Sequence, residues 1–116
     1  MNKFRFILVC VAAVLLLGGC EFFTESIEYH VTGTSSSISV LYLDRGGELK
    51  KVSAASPWSE SFTIMNGDRP VMTYLRVTNG DASSTGLTIY ISTDGTQERT
   101  TTVAYGATGE LYFIVE

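Results

Sequence analysis

The chain has 116 residues, with 8 Lys and Arg against 12 Asp and Glu, 45% hydrophobic residues, 11 Gly, 2 Pro and 2 Cys. That length supplies one domain and excludes a multidomain enzyme. Much of the apolar content lies in residues 1–19; without Lys3 and Arg5 the other 97 residues keep 6 basic side chains against 12 acidic ones, a balance that argues against nucleic acid as a partner.

Lys3 and Arg5 precede Phe6 to Leu17, an apolar run of 12 residues, too short for a membrane-spanning helix, which needs about 20. It reads as a signal peptide over residues 1–19. The run ends in Leu17-Gly18-Gly19-Cys20, which resembles the bacterial lipobox: small residues admit the chain to the signal peptidase, and the Cys20 thiol receives a diacylglyceryl group. An ordinary secretory peptide with an incidental cysteine is the competing reading. With Cys20 lipidated, its acyl chains hold the protein at a membrane, since each buried methylene contributes about 0.8 kcal/mol. Glu21 follows Cys20, and the likeness to diderm lipoproteins implies the outer membrane, because retention at the inner membrane is usually signalled by Asp there. Residues 20–26 form a tether reaching at most about 25 Å, which keeps the domain at the bilayer surface. Cys10 leaves with the signal peptide and Cys20 goes to lipid, so no disulfide is expected. A chain of this size must then rely on its core, which buries about 65% of the unfolded surface.

From Ile27 onward the pattern is short runs of alternating apolar and polar residues between Gly, Asn, Asp and Ser clusters, the signature of strands. The first spans 27–31, with Ile27, Tyr29 and Val31 on one face, and ends at Thr32-Gly33-Thr34. The second spans 37–43, with Ile38, Val40 and Tyr42 aligned. Asp44-Arg45-Gly46-Gly47 supplies a hairpin turn into a third strand over 48–53, which Ser56-Pro57 breaks. Trp58, Glu60, Phe62 and Ile64 alternate in a fourth strand that stops at Asn66-Gly67-Asp68, and Trp58 shares the parity of the apolar positions, which places it in or near the core. Pro70 belongs at a strand's beginning or edge, ahead of a fifth strand over 71–78. Leu87 to Ser92 and Gln97 to Val103 form a hairpin about Asp94-Gly95, the second of these strands polar enough to lie at a sheet edge. Leu111, Phe113 and Val115 mark a closing strand. No stretch carries helical periodicity over three turns. The turn rhythm predicts an all-β domain over residues 27–116, an immunoglobulin-like two-sheet β-sandwich of seven to eight short antiparallel strands; a closed barrel is the competing arrangement.

Tyr29-His30-Val31-Thr32-Gly33-Thr34, Ser37 to Tyr42, Ser56-Pro57-Trp58-Ser59 and Ser61-Phe62-Thr63, followed by Asn66-Gly67-Asp68, Thr93-Asp94-Gly95 and Tyr105-Gly106-Ala107, resemble the MmpS-type domain and related bacterial Ig-like lipoproteins over roughly residues 27 to 108. The resemblance implies a small membrane-tethered β-sandwich and, in the mycobacterial relatives, an accessory role beside RND-type exporters. Those relatives carry a transmembrane helix where this chain has a lipobox.

Residues that could carry chemistry are few. His30 is the single histidine, with no cysteine left to partner it and no Gly-x-Ser-x-Gly elbow elsewhere, so no catalytic residue, cofactor or bound metal is expected. Asp68, Asp81 and Asp94 each stand alone in a turn, where turn-making suits them better than calcium. Tyr74, Tyr90 and Tyr112 face away from the apolar side of their strands and make a candidate binding face for protein, glycan or lipid, although cross-strand aromatic pairing explains them as well. These readings point to a lipid-anchored bacterial envelope protein, outer-membrane or periplasmic, that acts as a non-enzymatic binding or accessory module with an envelope protein partner. An accessory subunit of an RND-type exporter and an inhibitor of a secreted hydrolase such as lysozyme are the alternatives.

Overall fold

The computed structural model describes residues 24–116; the expected signal peptide and the lipidation site Cys20 lie outside them. Six antiparallel strands follow in chain order: β1 (Thr24–Leu43), β2 (Leu49–Met65), β3 (Val71–Asn79), β4 (Leu87–Thr93), β5 (Thr96–Val103) and β6 (Thr108–Val115). A single 3-10 turn, Asn66–Asp68, is the only helical element among the described residues. Residues 24–26, expected in the tether, already pair with 63–65 as the start of β1.

All six strands belong to one sheet, in the order β5-β4-β1-β3-β6, with β2 also paired to β1. The expected seven to eight short strands are thus six, and two of them are long. The segments 27–31 and 37–43 are continuous as β1, and 48–53 and 58–64 merge into β2. Two turn signals bend the ribbon instead of ending it. Gly33 takes φ +105 and the β1–β2 register shifts on both sides of Ser35, so a bulge absorbs the turn while pairing resumes beyond it. Pro57 is tolerated because β2 pairs on one side only, and an edge strand can spare a backbone N–H.

The bend divides β1 into two working halves. β2 follows one edge throughout, while on the other edge residues 27–33 pair with β4 and residues 38–42 pair with β3. The sheet therefore forks into two arms, β4–β5 and β3–β6, that fold toward each other. How far β1 doubles back is set by Tyr29, whose hydroxyl donates to the Leu43 carbonyl at 2.6 Å. Fourteen residues of straight strand would separate those positions by about 46 Å. Between the arms lie the fully buried Tyr29, Val40, Leu75, Val77, Ile89 and Ile91, and each sits where the alternating pattern puts it. Tyr42, against Tyr29 at 5.5 Å, and Trp58, against Tyr42 at 5.5 Å, extend this core toward β2.

The free ends of the arms nearly close the sheet into a barrel. Arg99 of β5 lies over the Phe113 ring of β6 at 4.8 Å. Near the bend the approach is closer: a Cβ on Gly109 of β6 would stand 2.6 Å from Val103 Cγ2, so only glycine lets β6 settle against β5. No β5–β6 ladder completes the barrel among the described residues. The sheet is one folded surface, and its two facing arms stand where separate sheets were expected.

Buried polar residues tie the bend to its neighbours. Ser35 and Asn79 are both buried, and the Ser35 hydroxyl donates to Asn79 Oδ1 at 2.8 Å. Asn79 donates through Nδ2 to Ser84 Oγ at 3.0 Å, and its backbone exchanges hydrogen bonds with Gly106 and Ala107. The bend, the 80–86 loop and the 104–107 turn thus meet at one amide side chain.

Replacing Tyr29 with Phe keeps the ring and removes the donor to the partly buried Leu43 carbonyl, a loss of about 1 kcal/mol. Denaturant titration should show a lower midpoint with an unchanged slope, since the surface exposed on unfolding stays the same.

Candidate binding surface

Tyr74 and Tyr112 stand directly opposite one another in the β3–β6 ladder, on the outer face of that arm. Tyr112 is 66% exposed. Tyr74 is half-buried, and its hydroxyl donates to Glu110; burial, helped by that carboxylate, pushes its pKa up. Tyr90 lies apart from them, on the outer face of the β4–β5 arm, stacked on the His30 ring with centroids 4.6 Å apart and planes 16° from parallel. The three tyrosines all face outward as their parity requires, yet they occupy two surfaces.

His30 belongs to a small polar cluster on the β4 side. Its Nε2 lies 3.1 Å from Glu28 Oε1, which also accepts from the Ser92 hydroxyl at 3.2 Å. The His30 hydrogen bond is the main reason the Glu28 carboxyl ionises below its ordinary value of 4.5, with Ser92 adding to it against the opposing cost of burial. A nucleophile must be bonded to its base; here Ser92 and His30 both engage the carboxylate.

The three turn aspartates hold backbone. Asp68 accepts from the Met65 N–H at 2.7 Å and from Arg45 at 3.4 Å, and Asp94 accepts from the Ser26 N–H at 2.8 Å. Asp81 accepts from the Ser36 N–H at 2.7 Å and from the Ser83 N–H and hydroxyl. Those bonds to its charged form, Ser36 first, bring the Asp81 carboxyl down to about 2. Among the described residues no group of three or more His, Cys, Asp and Glu is placed to hold a metal.

Two surfaces stand out that residue-by-residue reading passes over. One is the outer edge of β2, 17 residues long and hydrogen-bonded only toward β1. Its charges lie at Lys50, Lys51 and Glu60, which leaves 52–56 and 61–65 without the charged guards that usually blunt an edge. The other is the outer face around Tyr112, where Met72 pairs with Ile114 and Leu43 pairs with Leu49. Met72 is 49% exposed, Ile114 43% and Leu49 57%. Their parity with Tyr74 and Tyr112 is legible in the sequence; their adjacency across four strands depends on the pairing.

No protein-family model matches the chain, and no curated protein matches it by sequence.

Two titrations check these contacts. A His30→Ala variant should return the Glu28 carboxyl toward 4.5 when its side-chain resonance is followed by NMR. Asp81 stabilises the fold fully above its unfolded pKa and loses that contribution as pH falls through about 2. The melting temperatures of the native protein and an Asp81→Asn variant should therefore differ most above about pH 4 and converge toward about pH 2.

Proposed function

We propose that the chain is a lipid-anchored protein of a bacterial envelope whose folded sheet works as a non-enzymatic binding module for another envelope protein. The anchoring half of this reading is supported by the basic start, the apolar run and Leu17-Gly18-Gly19-Cys20. Glu21 favours the outer membrane. Kinship with the MmpS-type and related Ig-like lipoproteins belongs to the same reading, and the two facing arms are its counterpart of a two-sheet sandwich.

The observation that carries the binding half is the open edge of β2. An edge strand presents unpaired N–H and C=O groups that an extended segment can complete, main-chain bonds giving affinity and alternate side chains giving specificity. The uncharged stretches 52–56 and 61–65 are long enough for such a segment. An exporter subunit or a hydrolase offering an extended loop would each be a partner of this kind.

A photo-crosslinking side chain in place of the exposed Ala55 on β2, tested in intact cells, should yield one reproducible adduct heavier than the monomer, while the same group at Thr102 on β5 yields none. Monomer alone at both positions would overturn the binding reading. The Cys20→Ala chain should leave the membrane fraction or remain unprocessed; a processed form still held at the membrane would overturn the anchoring reading.

A further inference from the structure

The outer face of the β3–β6 arm changes character in steps along its strands, and the direction of the change is tied to where the chain enters. Thr24 pairs with Met65, Glu25 forms an ion pair with Arg69 at 2.5 Å, and Ser26 binds the Asp94 turn. The first described residues therefore sit at the end of the molecule where β3 begins and β6 finishes. Starting from that end, the first outward row is Met72 and Ile114, and the second is Leu49, Leu43, Tyr74 and Tyr112. The third holds Lys51, Leu41, Arg76 and Glu110; the fourth holds Ser53, Ser39, Thr78 and Thr108. Successive rows are two residues apart, about 7 Å. Apolar, aromatic, charged and hydroxyl rows thus follow one another over about 20 Å, the charged row holding two cations and one carboxylate.

That sequence of chemistries matches the depth profile of a lipid monolayer. Apolar side chains enter the acyl boundary to about 5–10 Å, tyrosines sit at headgroup level, and Lys and Arg meet lipid phosphates. Lys51 and Arg76 flank Leu41 on neighbouring strands. Neither has an ion-pair partner among the described residues, and Glu110 in their row accepts from Tyr74. Cys20 stands only four positions before Thr24.

We propose that the molecule leans onto the bilayer on this face with its entry end lowest, putting Met72 and Ile114 at the acyl boundary, Tyr112 at headgroup level and Lys51 and Arg76 on anionic lipid phosphates. The proposal rests on the lipid-anchor reading and adds an orientation to it. The polar outer face of β4–β5, with His30 and Tyr90, then points away from the membrane.

The test uses the full chain, processed in a bacterial host and reconstituted into vesicles of phosphatidylethanolamine and phosphatidylglycerol whose acyl chains carry bromine, a short-range quencher of indole fluorescence. Tyr112→Trp is compared with Thr100→Trp on the opposite arm, after subtracting the signal of Trp58. The Tyr112→Trp indole should be quenched at least about twofold more, and adding Met72→Ser with Ile114→Ser should remove the difference. Circular dichroism checks that both variants keep the sheet. Equal quenching in protein that stays on the vesicles through an alkaline wash overturns the docking and leaves the anchor intact. Quenching confined to Tyr112→Trp in protein that washes off supports the docking and overturns the anchor. A dimer in detergent that Ile114→Ser dissociates would assign the face to a second copy and overturn the proposal.

Discussion

The fold depends on β1 returning to meet itself. One hydroxyl, that of Tyr29, reaches the Leu43 carbonyl from the far half of the same strand, and it also accepts from the Tyr74 N–H at 3.3 Å. Burial holds this phenol neutral by raising its pKa to about 12, so it remains a donor to Leu43. The contact fixes the angle between the arms, and with it the enclosure of the core. Gly33 makes the return possible: its backbone passes so near Gly86 that a Cβ would stand 2.8 Å from the Gly86 carbonyl oxygen.

Side-chain alternation was readable and chain topology was not. Ile27, Tyr29 and Val31, then Ile38, Val40 and Tyr42, are inward as their period of two requires. Glycine and proline signals, by contrast, report local dihedral demands, and a strand that bends through a bulge makes the same demands as one that stops. Thr32-Gly33-Thr34 and Ser56-Pro57 resemble strand ends for that reason. Parity groups Tyr90 with Tyr74 and Tyr112, because it gives a face without naming the arm. The buried Ser35–Asn79 pair left no trace in the pattern, since small polar residues in turn-rich segments look alike whether exposed or enclosed.

The acidic surplus gains meaning from the loops. Asp81 and Asp94 each receive a backbone N–H from a distant segment of chain, and Asp68 receives one from Met65 at the start of its own turn. Asp94 links its turn to the start of β1, and Asp81 links its loop to the bend. A chain with no expected disulfide uses carboxylates where others place covalent staples, and it concentrates them where strands reverse.

The position of β1 also governs how the molecule bears load. Its first half lies between β2 and β4, antiparallel to both, and antiparallel hydrogen bonds run across the strand axis. Tension entering at Thr24 along that axis strains bonds on both flanks together, in shear, and cannot open them one by one. Force applied at that end therefore meets the strand that is hydrogen-bonded on both sides.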